Sequence, residues 1–241
     1  QAVYAKYNLA TAHFYKNNRK AFSLKKIGLV LALATWNNAL YLGTESGLWC
    51  YQNGKLKFIE AVGREFVFSL LPQAQSLLIG TGAEVLELNT QNKIGSVSVV
   101  QTLPYATVFK MKQAPDGSLW CATYTQGFFR KTTNEGWQHL ANWGGLKLDS
   151  LRFSTFLALS KDSVLIGTQN SGVYKLGKQQ NSHLTFSDLR FSELRAMSFG
   201  ASCEPSQKPQ ILLGTNKGLL LLSEVQEAKR RGKNQLPFIG S

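Results

Sequence analysis

Four cations recur at a nearly constant offset from glycines along the chain. Lys26 lies 17 residues before Gly43, Arg64 lies 16 before Gly80, Arg152 lies 15 before Gly167, and Arg195 lies 19 before Gly214 across an insertion. Tyr105 stands in the same series, 17 residues before Ala122. Side chains of this kind gathered at one rim bind carboxylate, sulfate or phosphate groups through charge-assisted hydrogen bonds. The plainer reading is that they are strand-end charges pointing to water. Just after the glycines come short polar segments that supply further contacts: Glu45 with Ser46, residues 82–84, Tyr124 to Gln126, residues 169–171 around Asn170, and Asn216 with Lys217.

Catalytic chemistry finds less support. His13, His139 and His183 are far apart in sequence with no carboxylate or cysteine at ligand spacing, so neither a zinc site nor a nucleophile–base pair assembles. Asp116, Asp149, Asp162 and Asp188 fall in turn-like segments, where Asp has a structural role. The reading is of a non-enzyme with no metal and no cofactor; a lyase or lactonase built from scattered loop residues is the enzymatic alternative. Cys50, Cys121 and Cys203 are three, so they close no disulfide set, and the first two sit in apolar runs suited to buried thiols.

The elements that must position these residues announce themselves as a repeat. A short apolar run closing in Gly-Thr occurs at Leu40–Thr44, Leu77–Thr81, Val164–Thr168 and Ile211–Thr215, and as Ala-Thr at Leu119–Thr123. The threonines stand 37, 42, 45 and 47 residues apart. A second glycine follows in four copies, at Gly47, Gly127, Gly172 and Gly218, whereas the second copy has Ala83-Glu84 there. A fainter copy at Asn8–Thr11, with Phe14 and Tyr15 after it, opens the chain.

A period near forty with several short strands per unit is the mark of a β-propeller blade. The chain is read as all-β, one propeller domain over 1–241, with blade units at about 1–26, 29–60, 66–100, 107–140, 153–188 and 194–241. The unit at 29–60 is the clearest, with strands at Leu29–Thr35, Ala39–Gly43, Leu48–Tyr51 and Leu56–Ile59 and turns at Asn37-Asn38 and Asn53-Gly54. Six blades is the leading count; five with a terminal arm, or part of a seven-bladed ring, are the alternatives. Residues 1–26 read as later strands of a blade whose first strand the tail at 235–240 supplies. Alternatively, that tail is the fourth strand of the last unit, since Lys233 to Ile239 resembles Lys55 to Ile59.

At 241 residues and 44% hydrophobic content the chain can bury a full core. No apolar run approaches the roughly twenty residues of a membrane-spanning helix. The net charge of +13 favours anionic partners, and its surplus gathers toward the ends, at Lys6, Lys16, Arg19, Lys20, Lys25 and Lys26 and at Lys229, Arg230, Arg231 and Lys233. Nucleic acid ranks below a small anion, an acidic glycan or an acidic protein surface, because no nucleic-acid-binding module is present. Trp49 and Trp120 read as core, while Trp36, Trp137 and Trp143 lie nearer loops with packing between blades as their leading role; the segment 141–145 reads as an ordinary surface loop, a lid over the channel being the alternative. The chain starts at Gln1, which suggests a processed chain or a piece of a longer one; a cleaved export signal fits.

The segment Pro115-Asp116-Gly117-Ser118-Leu119-Trp120-Cys121-Ala122-Thr123, and the runs ending Leu-Gly-Thr or Ile-Gly-Thr before Gly-Leu or Gly-Val, resemble the two-component regulator propeller repeat. That pattern is a turn carrying Asp and Gly, then Leu-Trp-Ile-Gly-Thr, then Gly-Leu and an aromatic. The resemblance implies a periplasmic or otherwise extracytoplasmic sensor domain, recognising ligands that are often glycans. In such a ring the loops after each Gly-Thr and those entering each first strand meet on one channel face. The expectation is therefore a sensing or recognition propeller holding an anionic ligand there, through Lys26, Arg64, Tyr105, Arg152 and Arg195 with Glu45, Tyr124, Gln126, Asn170 and Lys217. A scaffold within a larger assembly is the competing expectation.

Overall fold

The computed structural model describes residues 5–8, 13–16, 19–23, 27–89, 98–103, 107–133, 135–169, 171–178, 181–184, 194–199, 210–216, 218–222 and 238–239. The chain divides into two compact units, residues 1–111 with 121–124, and residues 112–120 with 125–241.

The sequence of the first unit carries a three-stranded sheet of β1 (Ala5–Asn8), β2 (His13–Lys16) and β3 (Arg19–Ser23). A four-stranded sheet follows: β4 (Val30–Trp36), β5 (Ala39–Thr44), β6 (Gly47–Gln52) and β7 (Lys55–Phe58). After a single 3-10 turn at Glu60–Val62 come β8 (Val67–Pro72), β9 (Ser76–Thr81), β10 (Val85–Asn89) and β11 (Ser98–Leu103). The division between units falls within the next sheet, β12 (Val108–Gln113), β13 (Leu119–Thr123), β14 (Phe128–Thr132) and β15 (Glu135–Leu140).

The second unit continues with a short hairpin, β16 (Asn142–Trp143) and β17 (Leu146–Lys147). Then come β18 (Phe153–Ser160), β19 (Ser163–Thr168), β20 (Val173–Gly177) and β21 (Ser182–Leu184). The last sheet is β22 (Leu194–Phe199), β23 (Ile211–Thr215), β24 (Gly218–Leu221) and β25 (Phe238–Ile239). In every four-stranded sheet the strands lie side by side in chain order, the pattern of a propeller blade. The tail pairs as fourth strand with β24, Leu220 opposite Phe238, and β1 to β3 form a sheet of their own.

The Gly-Thr strands are the inner layer of these sheets. β9 is buried at every residue, so its run Ser-Leu-Leu-Ile-Gly-Thr is apolar on both faces and does not alternate. Around it Trp36, Tyr41, Leu48, Val67, Leu77, Ile79 and Leu88 form one core. Leu157, Leu165, Val173, Met197, Leu213 and Leu220 form another in the second unit. Each such side chain contributes about 1.5–3 kcal/mol by leaving water.

Gly and Thr have separable jobs. A Cβ on Gly43 would fall 2.6 Å from the Val67 side chain, and one on Gly80 would fall 2.5 Å from that of Val108. At these two places the glycine is a seat for the first strand of the following sheet. The turn belongs to the later glycines, such as Gly47 and Gly172, whose φ values of 115° and 93° suit a residue without Cβ. The threonine is buried at Thr44, Thr81, Thr123 and Thr168 and half-buried at Thr215, and in four of the copies its hydroxyl closes the turn. Thr44 Oγ1 donates to the Gly47 carbonyl at 2.8 Å, Thr81 Oγ1 to Glu84 at 3.1 Å, Thr168 Oγ1 to Gly172 at 2.9 Å and Thr215 Oγ1 to Gly218 at 2.8 Å. The second copy thus keeps the bond although it lacks the later glycine.

Candidate functional site

In four sheets the residue after the threonine ties the loop to the start of the first strand. Glu45 N–H donates to Leu29 O at 3.1 Å, Gly82 to Phe66 O at 3.1 Å, Tyr124 to Thr107 O at 3.2 Å and Gln169 to Arg152 O at 2.8 Å. Immediately beyond the tie, the first strand bulges opposite the Gly-Thr peptide. Val30 faces Thr44 and Ala32 faces Gly43, so Leu31 is the extra residue; Phe68, Ser154 and Arg195 occupy the same place in β8, β18 and β22. Bulges of this sort re-aim side chains at the rim of a sheet. Backbone is constant here and side chains are not: the tied positions read Leu29, Phe66, Thr107, Arg152.

In the first unit this rim is aromatic. Val67 enters the core and turns Phe66 and Phe68 to the other side, where their rings stack 5.6 Å apart at 13°. Tyr124 meets Phe68 edge-on at 6.3 Å and Phe109 at 5.0 Å. Phe66 and Tyr124 remain about half exposed, at 49% and 53%. The Thr107 hydroxyl donates to Gly82 O at 2.6 Å, which steadies the loop beside them.

The second unit presents polar groups at the equivalent places. Arg152 is exposed, Ser154 Oγ donates to Gly167 O at 3.3 Å, and Ser171 N–H donates to Thr168 Oγ1 at 2.9 Å. Two histidines brace its loops from outer strands. His139 Nε2 donates to Gln126 O while the ring stacks on Phe129 at 4.7 Å. His183 Nε2 donates to Ser171 O while its ring lies flat on Tyr174 at 4.0 Å. The first unit replaces this brace with Phe58 against Trp49 at 5.1 Å.

The cations of the sequence do not share one register. Arg152 is a tied residue, Arg195 is a bulge residue, and Arg64 lies two positions before the tied Phe66, with its guanidinium 5.4 Å over the Phe58 ring. Counting back to glycine misaligned them because the tied residues stand 14 or 15 positions before the Gly or Ala, whereas Arg64 stands 16 and Arg195 stands 19 before it. Glu45 is exposed, and its side chain lies over Gly28. Gln126 is half-buried with its carbonyl held by His139. Lys26, Tyr105, Asn170 and Lys217 lie outside the described residues, as does the Arg195 side chain. Phe66, Phe68 and Phe109 were missed; the alternation Phe66-Val67-Phe68 at a strand entrance was the signal for the first two.

Titratable groups here are tied to structure. Asp116 loses some solvation, but Ser118 Oγ at 2.6 Å, Lys161 N–H at 2.6 Å and Ser118 N–H at 3.1 Å donate to it and hold its carboxyl below the ordinary value. It thereby pins its own turn to the β18–β19 turn. Burial raises the Cys50 thiol, which the Tyr41 hydroxyl and Lys57 only partly offset, and burial alone raises that of Cys121, so both are protonated thiols near neutral pH. Burial, reinforced by Cys50, likewise raises the Tyr41 phenol. Among the described residues no group of three His, Cys, Asp or Glu is placed to hold a metal ion, and no helix is long and apolar enough to cross a membrane. The Trp143 segment is a closed hairpin, not an open loop. Its indole stacks on Trp120 at 5.3 Å and 5°, and Asn181 Nδ2 donates to Gly144 O at 2.9 Å.

No family model and no curated protein sequence matches the chain. Solved structures do. The extracellular domain of the hybrid two-component system BT3049 from B. thetaiotaomicron aligns with a TM-score of 0.62 at 17% identity, over 91% of this chain and 32% of that one. An ancestral GH74 enzyme aligns with a TM-score of 0.59 at 14% identity, over 87% and 32%. BBS1N in complex with ARL6DN aligns with a TM-score of 0.61 at 14% identity, over 91% and 76%. The chain has the β-propeller fold of these proteins and spans about a third of the length of the first two. At such identities the likeness concerns fold, and the three neighbours differ in what they do.

Proposed function

We propose that this chain is a non-enzymatic recognition propeller of the sensing kind, working outside the cytoplasm and binding an anionic ligand, such as an acidic glycan, on its loop face. One observation carries the reading. The tie and bulge are constant in backbone while the side chains they present change from Leu29 to Phe66 to Thr107 to Arg152, the division of labour expected when a rigid scaffold displays recognition residues. In the second unit Arg152, Gln169 and Ser171 offer a guanidinium and polar donors for a carboxylate or sulfate. Asp116 and the cysteines, engaged or protonated as they are, favour binding over catalysis. The extracellular two-component neighbour is in keeping with sensing.

Thermal melting of the full chain against acidic glycans, inorganic sulfate and phosphate, and neutral sugars tests this, because a ligand of the native state raises the midpoint by mass action. An acidic ligand is expected to raise it, and Arg152→Ala to abolish the rise. A neutral sugar acting equally on both proteins would refute the anionic assignment. A second reading, an interaction scaffold, is favoured by the half-exposed apolar side chains Leu29, Leu33, Phe66 and Tyr124 of the first unit.

A further inference from the structure

Register singles out one side chain whose exposure departs from its position. Next to the residue paired with the motif glycine, three first strands carry an apolar side chain: Leu70 opposite Ile79 in β8, Phe156 opposite Ile166 in β18 and Met197 opposite Leu213 in β22. Each meets the preceding sheet. Leu70 packs into one core with Tyr41, Phe156 faces the Phe128 ring at 5.2 Å, and Met197 packs into one core with Leu157. The counterpart in β4 is Leu33, opposite Leu42. Leu33 is 47% exposed, whereas Phe156 and Met197 are at 0% and 3%. Leu29 marks no such departure, since its counterpart Phe66 is exposed to the same degree. Leu42, beside Leu33 on the same face, is fully buried, so the cover of this face reaches the second strand and stops short of the first.

The counterparts are covered by the preceding first strand. β4 packs on β8 and β18 on β22, with Ala34 and Trp36 in the one core and Leu157 and Leu159 in the other. The sheet ahead of β4 consists of β1 to β3, and β1 runs into the Asn8–Thr11 copy of the motif, which makes it the counterpart of the second strands β5 and β9. Among the described residues no strand pairs with the other edge of β1. An unpaired edge is a template for one more strand, and the uncovered Leu33 marks where its side chains would lie.

We propose that a β-strand of a different polypeptide docks on Leu33, adding along β1 as the first strand of that sheet and laying alternate apolar side chains on β4. Its chemistry is read from the two internal examples, Ala34 with Trp36 and Leu157 with Leu159. A second copy has no spare first strand, because each one described is paired within its own sheet. Gln1 to Tyr4, just ahead of β1, include no Gly, Pro, Asn or Asp, so a tight hairpin from that side is not encoded. The described turns from first to second strand carry Asn37-Asn38, Pro72, Asp116-Gly117 and Asp162. This docking is independent of the loop-face ligand.

The test uses the full chain and a fluorescein-labelled peptide with the sequence of residues 152–161, which includes Leu157 and Leu159. Fluorescence anisotropy is expected to show saturable binding, lost when both leucines of the peptide are glutamate. Leu33→Glu in the chain should weaken it about tenfold, the loss of one buried leucine contact. Lys175→Ala, on an exposed position of β20, should leave it unchanged. Two further peptides are N-methylated at alternate amides in opposite phases. One phase should lose binding and the other keep it, because a strand offers only alternate amides to a given edge. Circular dichroism melts show whether Leu33→Glu remains folded, and Leu33→Ala replaces it if it does not. Equal behaviour of the two methylated peptides would mean apolar contact without strand pairing and would overturn the proposal. So would binding that neither Leu33 variant weakens, or no binding at all. A dimer in sedimentation that Leu33→Glu dissolves would identify a second copy as the occupant and overturn it as well.

Discussion

The sheet that starts at Val67 and the one that starts at Phe153 are built alike and present opposite chemistry. Both bulge opposite Gly-Thr, at Phe68 and at Ser154. Both close the turn with a buried threonine hydroxyl and tie the next N–H to the residue before the first strand. At that tied residue one carries Phe66 and the other Arg152. The difference teaches that the framework is specified by buried groups, chiefly glycine and threonine, and is indifferent to what it exposes.

Breaking the framework should have the largest effect. Gly80→Val places methyl groups where Val108 already sits and is expected to cost about 3 kcal/mol in urea denaturation. A cost under 0.5 kcal/mol, at the level of an ordinary surface change, would show that the seat is loose. Next, Thr81→Val and Thr168→Val should each cost about 1 kcal/mol, since each removes a hydroxyl that donates to a loop carbonyl and accepts from a loop N–H. The two costs are expected to be similar; a large disparity would break the claim that the two sheets share one device.

Asp116 sharpens the comparison through pH. Its carboxyl sits below the ordinary value in the folded chain, so its contribution is complete above the usual carboxylate pKa and is lost as pH falls through the folded value. The stability gap between the native chain and Asp116→Ala, followed by thermal melts from pH 7 to pH 2, should therefore narrow toward acid. A gap that stays constant would mean that Asp116 acts through shape and not through charge. The smallest effect is expected from the exchange Phe66→Arg with Arg152→Phe: stability should stay within about 0.5 kcal/mol in calorimetry, with ligand preference altered.

Much of the architecture was legible because it depends on backbone-level signals. In the clearest unit the structure has Val30–Trp36, Ala39–Thr44, Gly47–Gln52 and Lys55–Phe58 where alternation, Asn-Asn and Asn-Gly placed strands. Asn37, Asn38 and Asn53 indeed adopt positive φ there. The rim was less legible, since its geometry depends on a bulge and a loop-to-strand hydrogen bond that hold the backbone of Leu29, Phe66, Thr107 and Arg152, whose side chains share no type. Arg64 shows why: it falls near the expected count and yet turns to Phe58. The packing expected of the Trp143 ring is found against Trp120, whereas its segment read as a loop because a Gly-Gly turn looks mobile until Asn181 is seen to hold it.

The seating of Val67 on Gly43 and of Val108 on Gly80 has a consequence for how such a chain melts and how it changes over generations. In these two sheets the glycine is a socket shaped for the first strand of the next, so fraying of that strand exposes the socket before it and passes the loss backward. Cooperativity then runs through neighbours. It also has a grammar: at these two joints a unit can be copied in or cut out only with a glycine ahead of it and a valine to follow, whatever its rim displays.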